Sequence, residues 1–250
     1  MLRAQRSVRM RALTDMLDPR RHALLDAMGI VVWQQRSNIA EPVAPEAGAV
    51  AEAAIAEVAP ATDDNLDALR REVADCTACA LHETRTQTVF GTGRATADCL
   101  IIGEAPGAEE DRRGEPFVGR AGKLLNSMLS AIGLDRDAVF IANILKCRPP
   151  GNRDPRAEEV QACAHFLERQ IALLQPRVIL AVGRVAAGNL LSSDAPLGRM
   201  RGQQHYYGNN RIPVVVTYHP AYLLRSPGEK RKAWADLKSA AALLHEAGNA

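Results

Sequence analysis

The sequence predicts an α/β protein in which helices cover both faces of a central, four-stranded parallel sheet. Four short runs rich in Val, Ile and Leu alternate with segments of helical periodicity. Nearly continuous apolar runs of this kind are typical of parallel strands that are buried on both faces. The chain has 250 residues, 47% of them hydrophobic, which is enough for one such domain. We therefore expect a three-layer α/β/α sandwich.

Each predicted strand is one of the apolar runs, and each predicted helix lies between or after them. The strands are expected at 99–103 (CLIIG), 139–145 (VFIANIL), 178–183 (VILAVG) and 214–219 (VVVTYH). The helices are expected at 122–132, 155–174, 185–191 and 229–247. Asp154 is the expected N-cap of the second helix, because Pro155 is tolerated in a first helical turn.

The N-terminal quarter differs in composition from the rest. Residues 1–40 contain seven Arg and three acidic residues, and we interpret them as a short helical extension. Residues 41–62 are rich in Ala, Pro and Glu, which bury little surface and predict a flexible linker. The domain is therefore expected at 63–250. Because neither a secretory signal nor a membrane-length apolar run is visible, we expect a cytoplasmic protein without a membrane partner.

Charge and cysteine content restrict the class of function. The net charge is only +2, so a nucleic-acid site would need local clustering of basic residues. Five cysteines in a chain without an export signal argue against a disulfide framework and favour metal or redox chemistry.

Four of the cysteines have the spacing of a metal site. Cys76 and Cys79 form a CxxC pair, Cys147 follows the second strand, and Cys163 lies in the next helix. Four thiolates could hold either zinc or an iron-sulfur cluster, and the spacing does not distinguish them. The CxxC could also be a redox dithiol, and Cys163 alone could be a core residue. Cys99, inside the first strand, is interpreted as a buried small hydrophobic residue.

Polar residues follow three of the predicted strands. Glu104 lies in a GEAPG turn after the first strand, Asn143 ends the second, and His219 begins HPAYLLR after the fourth. The carboxyl ends of parallel strands share one edge of a sheet, so these three side chains are expected to converge there. GEAPG lacks the Lys-Ser/Thr ending of a P-loop, and GTGRAT at 91–96 lacks the third glycine of a dinucleotide fingerprint.

Three blocks in this order resemble the iron-sulfur-containing, family 4 type of uracil-DNA glycosylase: GEAPGAEEDRRGEPFVGRAG, the 143–155 segment with KCRPPGNRDP, and HPAYLLR. The resemblance covers about residues 69–243. It implies a uracil-DNA glycosylase-like fold and a [4Fe-4S] cluster held by Cys76, Cys79, Cys147 and Cys163. It also implies a monofunctional DNA-repair hydrolase that flips uracil out of DNA and leaves an abasic site.

The resemblance gives each site residue a role in binding the base. Phe117 would stack on the pyrimidine, and the Asn143 amide matches N3–H and O4 of uracil but not cytosine. Glu110 would exclude the methyl group of thymine. Backbone N–H groups of the 103–107 turn, which includes Ala105 and Gly107, would hold a base carbonyl.

Two residues would carry the chemistry. A neutral His219 would donate a hydrogen bond to the uracil oxygen that gains negative charge. Glu104 would either position the attacking water or stabilise the sugar cation. Some related branches carry an acid or Asn immediately before the Pro of this motif, where this chain has Ala105. The histidine loop of a covalently bonding branch is missing from 107–122, so ordinary turnover is expected.

The DNA-contacting residues are expected along the same edge. Leu223 would wedge into the base stack, and basic residues would contact phosphates: Lys146, Arg148, Arg153, Arg156, Arg225, Lys230, Arg231 and Lys232. The expected partner is single- or double-stranded uracil-containing DNA bound by a monomer, with a possible protein partner for residues 1–40.

Two other classes of function compete with the glycosylase. One is a metal-bearing nucleic-acid-binding protein that no longer cleaves. The combination of Glu104, Asn143 and His219 disfavours it, because binding alone needs none of them. The other is a cluster-based redox protein, in which the CxxC should border an open cleft.

Overall fold

The computed structural model describes residues 65–246. The predicted extension at 1–40 and linker at 41–62 lie outside the described residues, so both stay predictions. Within 65–246, no helix combines the length and the hydropathy that crossing a bilayer would require.

The sheet has six strands in the order β1-β3-β2-β4-β6-β5. The strands are β1 (Thr92–Gly93), β2 (Cys99–Gly103), β3 (Phe140–Asn143), β4 (Val178–Val182), β5 (His205–Tyr207) and β6 (Ile212–Thr217). The four central strands, β3, β2, β4 and β6, are mutually parallel, which confirms the predicted sheet. The first predicted strand has the observed bounds, and the other three differ by one or two residues at one or both ends.

The two outer strands are additions to the predicted sheet. β1 and β5 pair antiparallel with β3 and β6 and contain only two and three residues. Strands this short carry no alternating hydrophobic pattern, so they could not be predicted from the residues alone. They cover the edges of the parallel sheet and leave its central register unchanged.

Eight helices surround the sheet in the described residues: α1 (Leu66–Asp75), α2 (Ala108–Arg113), α3 (Arg120–Ser130), α4 (Ala157–Leu174), α5 (Arg184–Leu191), α6 (Leu197–Met200), α7 (Pro220–Arg225) and α8 (Lys230–Glu246). Short 3-10 turns occupy 80–83, 136–138, 150–152 and 227–229. The four predicted helices correspond to α3, α4, α5 and α8. Asp154 does not cap α4; the cap is Arg156, whose backbone N–H donates to the Glu159 carboxylate at 2.9 Å.

The alternation of side chains along β2 separates two cores. Leu100 and Ile102 point to one face and pack in a cluster with α1, α4 and α5, which contribute Leu69, Leu167 and Ala186. Ile101 belongs to the other cluster, with α3, α7 and α8, which contribute Leu125, Leu223 and Leu237. Both clusters are apolar and almost fully buried. The predicted three-layer α/β/α arrangement is therefore the observed one.

The register of the parallel strands positions the functional residues. Gly103 at the end of β2 lies opposite Asn143 at the end of β3. Val182 at the end of β4 lies opposite Thr217 at the end of β6. Because these strands finish together, the loops that follow them share one edge of the sheet, which is the usual place for a site in such folds.

Candidate active site

A cavity of about 440 Å³ opens at the carboxyl edge of the parallel strands. This volume suits a small planar ligand. Four segments meet there: the turn after β2 with the start of α2, the loop before α3 with the start of that helix, the end of β3 with its following loop, and the start of α7. The lining residues are Glu104, Ala105, Pro106, Gly107, Glu110, Phe117, Ala121, Asn143, Pro149, Asn152, Arg153, His219, Ala221 and Arg225.

Asn143 presents an unpaired hydrogen-bonding atom to this cavity. Its side chain is 2% exposed, and no protein group donates to its amide oxygen. Buried polar atoms are nearly always paired, so an unpaired one at a cavity indicates a ligand. The backbone of Asn143 is fixed, because the buried Lys146 Nζ donates to its carbonyl oxygen at 2.8 Å and to Gln170 Oε1 at 2.6 Å. The main chain at Asn143 is therefore held in place before any ligand binds.

Gly103 allows the recognition groups to approach the end of β2 closely. A Cβ atom at this position would lie 2.4 Å from Asn143 Oδ1 and 2.7 Å from Phe117 Cζ. Such distances do not occur between real side chains, so any larger residue would displace the amide or the ring. Phe117 itself has a left-handed backbone, with φ of 53°, and is 7% exposed.

His219 has a defined tautomer. The backbone N–H of Ala221 donates to His219 Nδ1 at 3.1 Å, so the ring proton must be on Nε2. The imidazole ring lies 5.5 Å from the Phe117 ring, centroid to centroid. Burial, assisted by the charge of Arg225 and opposed by that of Glu110, lowers the pKa of His219 to about 4. At neutral pH this residue is therefore an uncharged donor, as its predicted role requires.

The depressed pKa makes stability depend on this residue in acid. The unfolded chain takes up a proton near the ordinary pKa of 6.5, whereas folded His219 does so only near 4. Neutral His219 therefore contributes about 3 kcal/mol to the free energy of unfolding above pH 6.5. This contribution is lost as the pH falls toward 4. Urea unfolding at pH 7 and pH 4.5 should therefore show a smaller decrease for His219→Gln than for wild type. Equal decreases would contradict the assignment.

Glu104 is a partly buried carboxyl group at the same cavity. Burial and the nearby charge of Asp154 raise its pKa above 4.5, while Arg184 acts in the opposite direction. A carboxylate whose pKa moves toward neutrality becomes a better proton acceptor. The residue can therefore exchange a proton more easily than an exposed glutamate.

Glu110 is held rigidly at the cavity. Its Oε1 atom accepts from the backbone N–H groups of Val118 and Gly119 at 3.0 and 3.1 Å. Its other oxygen would lie 2.7 Å from a Cβ at position 107, so a larger residue there would displace this oxygen. The carboxylate therefore links α2 to the loop before α3.

A model of the uracil DNA glycosylase superfamily matches residues 90–238, more than half of the chain. The chain belongs to this superfamily. It is 43% identical to the type-4 uracil-DNA glycosylase of Archaeoglobus fulgidus over 181 residues, which cover 70% of this chain and 91% of the relative. It is 38% identical to the type-4 enzyme of Thermotoga maritima over 190 residues, covering 74% of this chain and 98% of the relative.

Similarity extends more weakly to another type in the superfamily. The type-5 uracil-DNA glycosylase of Thermus thermophilus is 36% identical over 119 residues, which are 42% of this chain and 54% of that protein. The type-4 relatives are matched over far more of their length. The predicted resemblance to a uracil-DNA glycosylase is confirmed.

The four cysteines of this superfamily member lie together on the α1 side of the sheet. Cys76, Cys79, Cys147 and Cys163 all line one small cavity, although they come from three separate segments. Burial raises the pKa of the Cys163 thiol to about 11. In the described residues, no group of three Cys, His, Asp or Glu side chains is arranged to hold a single metal ion.

Arg85 joins two of the cysteine-bearing segments. Its guanidinium donates to the carbonyl oxygen of Cys76 at 2.8 Å and to Cys147 Sγ at 3.2 Å. It also donates to the carbonyl oxygen of Ala74 at 3.1 Å. Burial raises the pKa of the Cys147 thiol, and the bond from Arg85 partly offsets this by stabilising the thiolate, which is the form that binds metals. The sequence offered no signal for this role, because it depends on a contact across 62 residues.

Two predicted DNA-contacting residues are instead buried. Leu223 is 1% exposed and packs in the core with Phe117 and Leu125, so the predicted wedge role is wrong for this residue. The predicted phosphate contact of Lys146 is also wrong, because this side chain is 1% exposed and binds Asn143 and Gln170. Both errors have one cause: a short apolar or basic motif does not reveal which way its side chains point.

Asn152 is a cavity residue that sequence reasoning missed. It has a left-handed backbone, with φ of 56°, and its side-chain oxygen accepts from Arg148 Nε at 2.7 Å. The preceding Pro-Pro-Gly indicates a turn, which is a usable signal for a loop residue. That signal does not show that the turn folds back over the cavity.

Proposed function

We propose that this protein is a monofunctional uracil-DNA glycosylase, which extrudes uracil from DNA and hydrolyses its N-glycosidic bond to give free uracil and an abasic site. The observation that carries the proposal is the buried, unpaired amide oxygen of Asn143, in the same cavity as Phe117 and the neutral imidazole of His219. A binding function alone would not require this set of groups.

The cavity matches uracil in its hydrogen bonding. The unpaired Oδ1 of Asn143 accepts from N3–H of uracil, and the amide NH₂ donates to O4. Cytosine has an acceptor at N3 and a donor at C4, so it would face the amide with both groups mismatched. Phe117 provides a flat apolar surface for the ring, and the fixed Glu110 carboxylate leaves little room for the methyl group of thymine.

Cleavage of the glycosidic bond leaves negative charge on the departing uracil. His219 Nε2–H is the donor for the uracil oxygen, and its orientation is set by the hydrogen bond at Nδ1. A neutral donor stabilises the anion without transferring its proton. Donors that are fixed before reaction make the largest contributions to such steps, because they need no reorganisation.

Glu104 is the carboxylate that can assist the incoming water. It accepts the proton of the attacking water as that oxygen bonds to the anomeric carbon of the sugar, and its carboxylate also stabilises the positive character there. The raised pKa of Glu104 favours this proton transfer near neutral pH.

We further propose that Cys76, Cys79, Cys147 and Cys163 hold a [4Fe-4S] cluster. The fit rests on four thiols from three segments that line one cavity, which is the ligand set of such a cluster. Arg85 provides the positive charge that such a site needs beside its thiolates. When bound, the cluster would supply cross-links between α1, the loop after β3 and α4, rather than a reacting group.

Three arginines at the cavity are proposed to bind the DNA backbone. Arg153 and Arg225 line the cavity, and Arg148 binds Asn152 within the same loop. Arg153 is paired with Glu159 at 2.5 Å, so its charge is partly compensated. Affinity for DNA should decrease as salt increases, because phosphate contacts release counterions.

The direct test uses a uracil-containing single strand labelled at one end. Incubation with the purified full chain, followed by alkali, should cleave the strand at the position of uracil. A strand that stays intact under these conditions would refute the proposed function. Retained binding of that intact strand would instead support the non-cleaving, nucleic-acid-binding alternative.

Changing Asn143 to Asp should alter base selection. The carboxylate can accept from the amino group of cytosine, but it offers no donor to O4 of uracil. We expect the ratio of uracil to cytosine kcat/KM to fall by about 10- to 100-fold, which corresponds to one or two mismatched hydrogen bonds. The exposed Asn189→Asp on α5 is the matched control. An unchanged ratio in Asn143→Asp would contradict the assigned reading of the base.

A further inference from the structure

The six-residue helix α7 presents different side chains on each of its faces. Ala221 and Arg225 line the cavity, and Leu223 points into the core. Tyr222 and Leu224 are 38% and 43% exposed. With a rotation of about 100° per residue, these two side chains lie on opposite sides of the cavity-lining stripe. Tyr222 and Leu224 therefore flank the side of α7 that lines the cavity, and Tyr222 lies only three residues after His219.

The ring of Tyr222 is held by a chain of contacts. It stacks on the Tyr218 ring at a centroid distance of 5.1 Å and an interplanar angle of 28°. The guanidinium of Arg201 lies 4.5 Å from the centroid of the Tyr218 ring. Arg201 in turn binds both oxygens of the Asp236 carboxylate, at 2.7 and 2.8 Å, and both side chains are largely buried. These contacts connect the partly exposed aromatic pair to the buried Arg201–Asp236 ion pair.

An aromatic ring that is both fixed and partly exposed can bind another flat surface. Stacking on a nucleobase is favourable for every base, because each base has a π-face. A ring that is already immobilised loses little conformational entropy when it binds. Leu224 is equally exposed, but its aliphatic side chain has no flat face.

We propose that, in duplex DNA, Tyr222 stacks on the base next to the extruded nucleotide and replaces the stacking that is lost there. The inference rests on the proposed function, since only an extruding enzyme opens such a gap. Extrusion costs unstacking and unpairing energy, and the cost is smallest when the strand is already single. The contribution of Tyr222 should therefore be large on duplex DNA and small on a single strand.

The test compares Tyr222→Ala with wild type on uracil in a U·A duplex and in the same single strand. We expect kcat/KM to fall by about tenfold or more on the duplex and by less than about twofold on the single strand. Tyr222→Trp should restore the duplex activity, because it restores the flat face. Tyr206→Ala is the matched control, because Tyr206 is also exposed and contacts an arginine, Arg211, but lies on β5.

A second measurement reports on stacking itself. The adenine analogue 2-aminopurine, placed beside uracil in the duplex, should be less fluorescent with wild type than with Tyr222→Ala, because a stacked ring quenches it. Thermal unfolding of each variant checks that the fold persists.

Several results would overturn the inference. They are an equal loss on both substrates, no loss on the duplex, or a duplex-specific loss in Leu224→Ala but not in Tyr222→Ala. In each of these cases wild-type activity would leave the proposed function standing. If wild type released no uracil from the single strand, the proposed function would fail, and this inference with it.

Discussion

Replacing His219 by alanine is expected to lower the single-turnover rate of uracil release by about 100- to 1000-fold, the range seen when one fixed donor to a developing anion is removed. The hydrogen bond from the backbone N–H of Ala221 to Nδ1 determines the tautomer of His219 and places the donor proton on Nε2. Because His219 also caps α7 through Nδ1, a loss of stability of about 1 kcal/mol should accompany the change. The fold should otherwise persist.

Rapid-quench measurement with excess enzyme isolates the chemical step from product release. The matched control is His205→Ala. His205 lies on β5, away from the cavity, and its Nε2 pairs with the carbonyl oxygen of Met200 at 2.7 Å. That variant should react at the wild-type rate. A wild-type rate for His219→Ala itself would show that the leaving-group donor has been placed on the wrong residue.

Changing Cys147 to alanine is expected to destabilise the protein more than it changes the chemistry. The proposed cluster would connect α1, the loop after β3 and α4, and none of its four cysteines lines the cavity that contains His219. Loss of a metal centre belongs to the few changes that cost more than about 4 kcal/mol. In a domain of this size the melting temperature should fall by roughly 10 °C.

Cys99→Ala provides the matched control for this change. Cys99 is also buried, at 3% exposure, but it lies within β2 in the opposite core. Its replacement should leave the iron content and the brown colour of an anaerobically purified sample unchanged. Stoichiometric zinc in a colourless wild-type protein would refute the cluster proposal, as would full stability and full iron content in Cys147→Ala.

The sequence predicted the central sheet well because its strands are buried on both faces. All five residues of CLIIG at 99–103 are buried, as expected for a strand with helices packed on both faces. The observed bounds of this strand are the predicted ones. Helix α1 was missed, although Asn65 caps it with hydrogen bonds to the N–H groups of Asp67 and Ala68. This cap was a readable signal, but a ten-residue helix just after a low-complexity region is easily overlooked.

The convergence of Glu104, Asn143 and His219 on one cavity was also predictable, because parallel strands that end in polar residues share an edge. The direction of neighbouring side chains was not. HPAYLLR begins with the catalytic candidate and then forms a helix, so Leu223 turns into the core while Tyr222 and Leu224 face outward. The direction of the Lys146 side chain was likewise not predictable: it turns inward and donates to Gln170.

Gly103 has a consequence for the inheritance of this protein. A methyl group, the smallest possible addition, would already collide with the Asn143 amide and the Phe117 ring. No missense change at codon 103 therefore preserves the observed positions of both side chains, and each is expected to lower activity.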